Sequence, residues 1–149
     1  MAAVIQFRVF GVPQTKGSTK AFMRPGARFP VVTNDNTKNK GWAATVSGAA
    51  QLAVRTGDGP IRGPVLLWLT FSLKKPKSYP KRRDLPAIKK PDLDKLVRSI
   101  KDALKGVLYL DDSQVVYLQA TKSYDDAPGV LVQLVEGDLL GAYSPDCRG

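Results

Sequence analysis

The sequence predicts a small α+β protein, a mixed β-sheet packed against two main α-helices, and three patterns carry that prediction. Leu93, Leu96, Val97, Ile100, Ala103, Leu104 and Val107 recur at spacings of three and four, the periodicity of an amphipathic helix with one buried face. Residues 64–73, PVLLWLTFSL, form a strongly apolar strand suited to the centre of a sheet. Ile5, Phe7 and Val9 alternate with Gln6 and Arg8, as a half-buried strand requires. At 149 residues and 43% hydrophobic content, the chain suits one domain spanning 1–149, large enough to bury its own core.

Gly11 and Pro13 end the first strand. Residues 13–27 read as a Gly-rich basic loop, in which Lys16, Lys20 and Arg24, followed by Arg28, are separated by Phe22 and Met23. Basic side chains interleaved with an aromatic can hold a nucleic-acid backbone and stack on an opened base. A flexible loop whose Phe22 packs into the core explains the same residues equally well. Residues 29–33 read as a second strand. Trp42, Val46, Ala49, Ala50, Ala53 and Val54 fit a packing helix over 38–55, and 57–63 form a loop. Two further strands, 115–123 and 130–135, are joined by the turn cluster Asp125-Asp126-Ala127-Pro128-Gly129, whose aspartates serve local hydrogen bonding. Residues 137–149 read as a loosely ordered tail. No repeats and no second domain are evident.

Several chemistries are excluded by composition. The chain has no histidine, which removes Ser-His-Asp and Cys-His catalysis, and its one cysteine, Cys147, allows neither an internal disulfide nor a Cys/His zinc site. Gly11 and Gly17 flank a loop, but Ser18-Thr19 follows where a phosphate-binding loop requires Gly-Lys-Ser/Thr, so no nucleotide cofactor is expected. No apolar run approaches the ~20 residues of a membrane span, and the start lacks the pattern of a signal peptide. A soluble cytoplasmic protein without membrane contact is the expectation.

Charge is distributed unevenly. Residues 1–91 hold 17 basic and 3 acidic side chains, while residues 92–149 hold 6 and 10. Within 74–90, KKPKSYPKRRDLPAIKK, eight cations (Lys74, Lys75, Lys77, Lys81, Arg82, Arg83, Lys89 and Lys90) accompany one aspartate and three prolines, which oppose regular structure. Such a basic arm fits a polyphosphate partner, because neutralising phosphates releases counterions. A merely solvated loop has the same composition.

Against this basic background, residues 89–116 hold five of the thirteen carboxylates. Asp92 follows Pro91 as a helix N-cap, Lys105-Gly106 is a stop signal, and Asp94, Arg98, Lys101 and Lys105 share the polar face. Residues 107–110 read as a short strand ending in Asp111-Asp112. A helix over 93–105 is ~20 Å long, and an extended return over 106–112 covers about the same distance, so Asp111 or Asp112 is expected back beside Asp92 and Asp94. Converging carboxylates repel unless a cation sits among them, and a hard divalent ion such as Mg²⁺ suits oxygen ligands. Capping, surface pairing with Arg98 and Lys105, and a turn at Asp111-Asp112 are the plain alternative.

At these residues the chain resembles a known family. PDLDKLVRSIKDAL followed by GVLYLDDSQVV is similar to the core motif of RusA-type Holliday-junction resolvases, phage-associated endodeoxyribonucleases with a D-L-D helix start, a D-A-L on the same helix and then D-D-S-Q. Gly11-Val12-Pro13 and Lys16-Gly17 more weakly resemble the family's G-x-P-x-x-K-G opening. The resemblance implies a RusA-like fold and hydrolysis of phosphodiesters in four-way or branched DNA. The cofactor implied is Mg²⁺, with Mn²⁺ as substitute, held by Asp92, Asp94 and Asp112. It also implies a homodimer, whose two-fold axis presents equivalent sites to two strands, acting in recombination, repair or phage DNA processing in a bacterial host.

Two residue assignments stay open. The family places a lysine four residues after the second aspartate of D-L-D, and here that position is Arg98; Arg98 or Lys101, one turn further on, fills the role. Asp111 and Asp112 point to opposite sides of a regular strand, and the family pattern favours Asp112 as metal ligand with Asp111 behind it. A non-catalytic nucleic-acid binder and a regulatory module whose acidic helix start meets a basic partner are the competing function classes.

Overall fold

The computed structural model describes residues 4–15, 19–22, 25–26, 31–34, 38–54, 59–80 and 85–137. The elements in chain order are β1 (Val4–Phe10), β2 (Thr19–Phe22), β3 (Val31–Asn34), α1 (Asn39–Ala53), β4 (Val65–Leu73), α2 (Leu93–Leu104), a 3-10 turn (Asp112–Gln114), β5 (Val115–Tyr124) and β6 (Gly129–Glu136). A four-stranded sheet has the order β1-β6-β4-β5, and β2 and β3 form a separate two-stranded sheet. β4 pairs in parallel with β5 and antiparallel with β6, which makes the main sheet mixed. The expected α+β class is what the chain adopts.

β4 is central, as its apolar run requires. Val65, Leu67, Leu69, Phe71 and Leu73 point into the core, and Leu66 on the opposite face is also fully buried. β6 must lie close to β1. A Cβ at Gly129 would stand 2.2 Å from the Val9 carbonyl oxygen, so only glycine fits where β6 begins opposite Phe10.

Both helices supply the same core with Trp42, Val46 and Ala50 from α1 and Leu96, Ile100, Ala103 and Leu104 from α2. Burying a leucine or isoleucine fully is worth ~1.5–3 kcal/mol, and Leu96, Ile100 and Leu104 are all in that state. Small side chains let the helices approach and bond directly. Ser47 Oγ donates to the Ala103 carbonyl at 2.7 Å, and Ser99 Oγ to Asn39 Oδ1 at 2.6 Å.

Three expectations need correction. Part of the predicted basic loop over 13–27 is a strand, β2, whose residues 20–22 pair in register with the β-formers Val31, Val32 and Thr33 of β3. The second predicted strand, placed at 29–33, is observed as Val31–Asn34. Residues 107–110 do not form a strand. Gly106 takes φ +82°, the left-handed conformation of a helix stop, and both Val107 and Leu108 donate their N–H to the Leu104 carbonyl. The chain thus turns tightly and drives Leu108 and Tyr109 into the core. Among the described residues, no helix is long and apolar enough to cross a membrane. The predicted tail lies outside the described residues apart from Gly137.

Candidate active site

The site lies along the β4–α2–β5 crossover. Near its end β5 holds Pro91, at the entry to α2, while Tyr109, just before β5, touches the carbonyl of Lys101 near the end of α2. α2 therefore runs antiparallel to β5. The buried stripe of α2 fixes its rotation, and Asp94, Arg98, Lys101 and Asp102 consequently share the outward face at helical spacing.

Asp92 occupies the N-cap position but its side chain makes no capping bond. It lies 3.7 Å from Lys95 Nζ instead, a half-exposed pair worth little. Asp94 sits in the first turn, where the helix dipole favours negative charge.

Asp111 and Asp112 have different surroundings. Asp111 caps the 3-10 turn. Its carboxylate accepts from the Ser113 N–H at 3.1 Å and from Ser113 Oγ, and its other oxygen lies 3.3 Å from Lys105 Nζ. The Ser113 bonds, with Lys105 behind them, pull the Asp111 pKa down to about 2. Asp112 turns the other way, and its Oδ1 accepts from Tyr109 Oη at 3.3 Å. The same phenol lies 3.2 Å from the Lys101 carbonyl. Burial, then the charge and hydrogen bond of Asp112, hold the Tyr109 pKa far above its usual value, so the phenol stays protonated as a donor.

Gln114 locks this turn to the body of the protein. Its Oε1 accepts from the N–H groups of Leu110 and Asp111 at 2.7 and 2.8 Å, and its Nε2 donates to the carbonyls of Ile61 and Gly63 at 2.7 and 3.0 Å. All four amide hydrogen-bonding contacts serve to fix the backbone that presents Asp112.

These elements enclose an open pocket of about 350 Å³ lined by Asp94, Val97, Arg98, Lys101, Asp102 and Asp112. Of the predicted residues, it unites Asp94, Asp112, Arg98 and Lys101. Asp92 and Asp111 are not in its wall. The expectation that the return would reach the helix N-terminus fails because the chain turns tightly after Leu104. Asp112 stands beside the third turn of α2, whereas Asp92 lies roughly 14 Å back along the axis at ~1.5 Å per residue.

The donor set is three carboxylates with no nitrogen or sulfur ligand, the chemistry that hard cations prefer. Among the described residues, no three such groups stand close enough together to hold a metal ion between them. Mg²⁺ keeps several waters and takes one or two carboxylates, and at ~30 Å³ per water the pocket has room for a hydrated ion. Asp94 and Asp112, both in the pocket wall, are the carboxylates that could share a partly hydrated Mg²⁺.

Of the basic arm, Lys74, Lys77, Lys89 and Lys90 are exposed and Lys75 is half-buried. Lys16, Arg24, Lys81, Arg82 and Arg83 lie outside the described residues, as does the Lys20 side chain. Sequence reasoning gave Asp102 only the role of a surface ion-pair partner, although it stands four residues after Arg98 and eight after Asp94 and so belongs to their face. It passed over Tyr109 and Gln114, whose roles depend on tertiary contacts.

Comparison with known proteins agrees with the motif. Residues 12–135 match the family described as Endodeoxyribonuclease RusA. A Bacillus subtilis (strain 168) protein named "Uncharacterized protein YqaN" is 33% identical over 141 residues, covering 89% of this chain and 96% of its own length. With the match spanning most of the sequence and both aspartate motifs, the chain belongs to the RusA endodeoxyribonuclease family.

Proposed function

We propose that this protein is a Mg²⁺-dependent, structure-specific endodeoxyribonuclease that resolves four-way DNA junctions by paired phosphodiester cuts, acting as a homodimer. The observation that carries the proposal is the pocket whose wall holds Asp94 from α2 and Asp112 from the following turn together with Arg98 and Lys101. Carboxylates to bind a hard cation and cations to bind a phosphate are the two halves of a phosphodiesterase site. When bound, Mg²⁺ supplies Lewis-acid polarisation of the scissile phosphate and eases deprotonation of an attacking water.

The protein's own side chains do the rest. Asp94 and Asp112 hold the ion, with Asp102 on the same wall, and Tyr109 aims Asp112 by donating a hydrogen bond. The family motif adds Asp92 to this set; it stands outside the pocket wall, paired with Lys95. Arg98 and Lys101 grip the phosphate; Arg98 offers a planar fork and stays charged, whereas Lys101 can also give a proton to the leaving oxygen. The exposed lysines of the 74–90 arm, with the basic residues of 16–24, hold the flanking backbone.

The test is cleavage of a synthetic four-way junction and of the matching linear duplex, with Mg²⁺ and with chelator. Symmetric nicks in the junction alone, only with the metal present, are expected. Tight junction binding without cutting in Mg²⁺ or Mn²⁺ would make the protein a non-catalytic binder.

A further inference from the structure

Near the end of β5, one lysine reaches across to the segment that introduces α2. Lys122 Nζ donates to the Lys89 carbonyl at 3.0 Å and to the Pro91 carbonyl at 2.9 Å. The second of these is one residue before Asp92. Neither carbonyl belongs to a helix or a strand, so each needs a partner from elsewhere. An ammonium group answers both with charge-assisted bonds, which are shorter and stronger than neutral ones.

Lys122 is itself firmly mounted. It is half-buried and pairs in register with the fully buried Phe71 of the central strand. Two residues on, the Tyr124 ring meets Tyr79 of the basic arm edge-on at 5.3 Å, and Tyr79 Oη donates to the Pro86 carbonyl. The end of β5 thus holds the arm at its middle and at its exit. Gln114, just before β5, holds the Asp112 turn. One end of β5 thus holds the entry of α2, and the other end continues directly from the Asp112 turn.

We propose that Lys122 is a positioning residue that fixes the entry of α2, and with it Asp92 and Asp94, relative to Asp112. Its ammonium takes no part in the chemical step and makes no DNA contact. Without it, the proline-bounded segment 89–91 loses its only described side-chain tether, and the first turn of α2 loosens. The functional half of this inference rests on the nuclease reading above; the structural half does not.

The experiment compares wild type, Lys122→Met and Lys122→Arg by amide hydrogen exchange and by single-turnover junction cleavage. For Lys122→Met, exchange is expected to rise in residues 89–96 and stay unchanged in α1 and β6. The cleavage rate falls about tenfold, while junction affinity measured in chelator changes less than about twofold. Lys122→Arg, which keeps a donating cation, restores most of both readouts. Three results overturn the proposal: no local change in exchange, loosening spread over the whole sheet, or affinity lost in step with rate. Exchange is read without any cutting. A wild-type protein that leaves junctions intact overturns the nuclease reading alone, and the exchange pattern still decides whether Lys122 fixes the helix entry.

Discussion

Tyr109 and Asp112 meet across 3.3 Å, phenol to carboxylate, although the phenol is carried by a ring buried in the core and the carboxylate lines an open pocket. The core thereby sets the direction of one acidic side chain. Tyr109→Phe keeps the ring and deletes only the donor. A lost hydrogen bond of ~0.5–1.5 kcal/mol corresponds to a rate loss of roughly twofold to tenfold, which is the expected fall in single-turnover cleavage. Junction affinity should be unchanged.

Asp102 lines the same pocket. If it helps hold the ion, Asp102→Asn raises the Mg²⁺ concentration for half-maximal cleavage about tenfold and is rescued at high Mg²⁺. A variant with wild-type Mg²⁺ dependence would leave Asp102 as surface charge only.

Arg98 and Lys101 separate by their chemistry. A cation at developing phosphate charge is worth about 3 kcal/mol, or ~100-fold in rate. Arg98→Ala should lower the single-turnover rate by that order with little loss of affinity, Lys101→Ala should do much less, and Arg98→Lys should keep most activity. The reverse ranking assigns the role to Lys101.

Asp111 gives a pH signature. Its pKa lies near 2 instead of 3.8, so its carboxylate stabilises the fold above pH ~4, and this contribution fades as the pH falls toward 2. Asp111→Asn should therefore lower the thermal midpoint at pH 7 and flatten its decline between pH 4 and 2. Near-neutral cleavage should stay close to wild type, because Asp111 is turned toward Ser113 and Lys105.

Exposed lysines of the arm should act through phosphates. Replacing Lys74, Lys77 and Lys90 with alanine should weaken binding to all DNA and flatten the slope of log K against log salt by up to about three units, near 0.9 per lost contact. An unchanged slope would make the arm a solvated loop.

The periodic elements were legible in the sequence because burial imposes them directly. The stripe Leu96, Ile100 and Leu104 and the run from Val65 to Leu73 can be buried in few other ways. The shared face of Asp94, Arg98 and Lys101 follows from helix geometry alone. What stayed hidden depends on partners distant in sequence. Residues 107–110 have strand composition, yet Tyr109 is claimed by the core and bridges to Ile61, so the chain turns there. Whether Asp111 or Asp112 faces the pocket is decided by Ser113, Lys105 and Gln114, contacts that no spacing rule contains. Thr19–Phe22 reads as loop because its glycine-rich, basic surroundings mask four residues of strand.

The central claim is that Asp94 and Asp112 form one metal-dependent site, and paired measurement of cleavage and binding on Asp94→Asn and Asp112→Asn tests it most directly. Each variant should lose cutting of a four-way junction in Mg²⁺ by at least ~1,000-fold, a transition-state loss of about 4 kcal/mol. Each should bind the junction as tightly as wild type or more so, since a negative charge facing the DNA is gone. The double variant should be no worse than either single one, because the two carboxylates act as a unit. Cutting near the wild-type rate in either single variant would contradict the account.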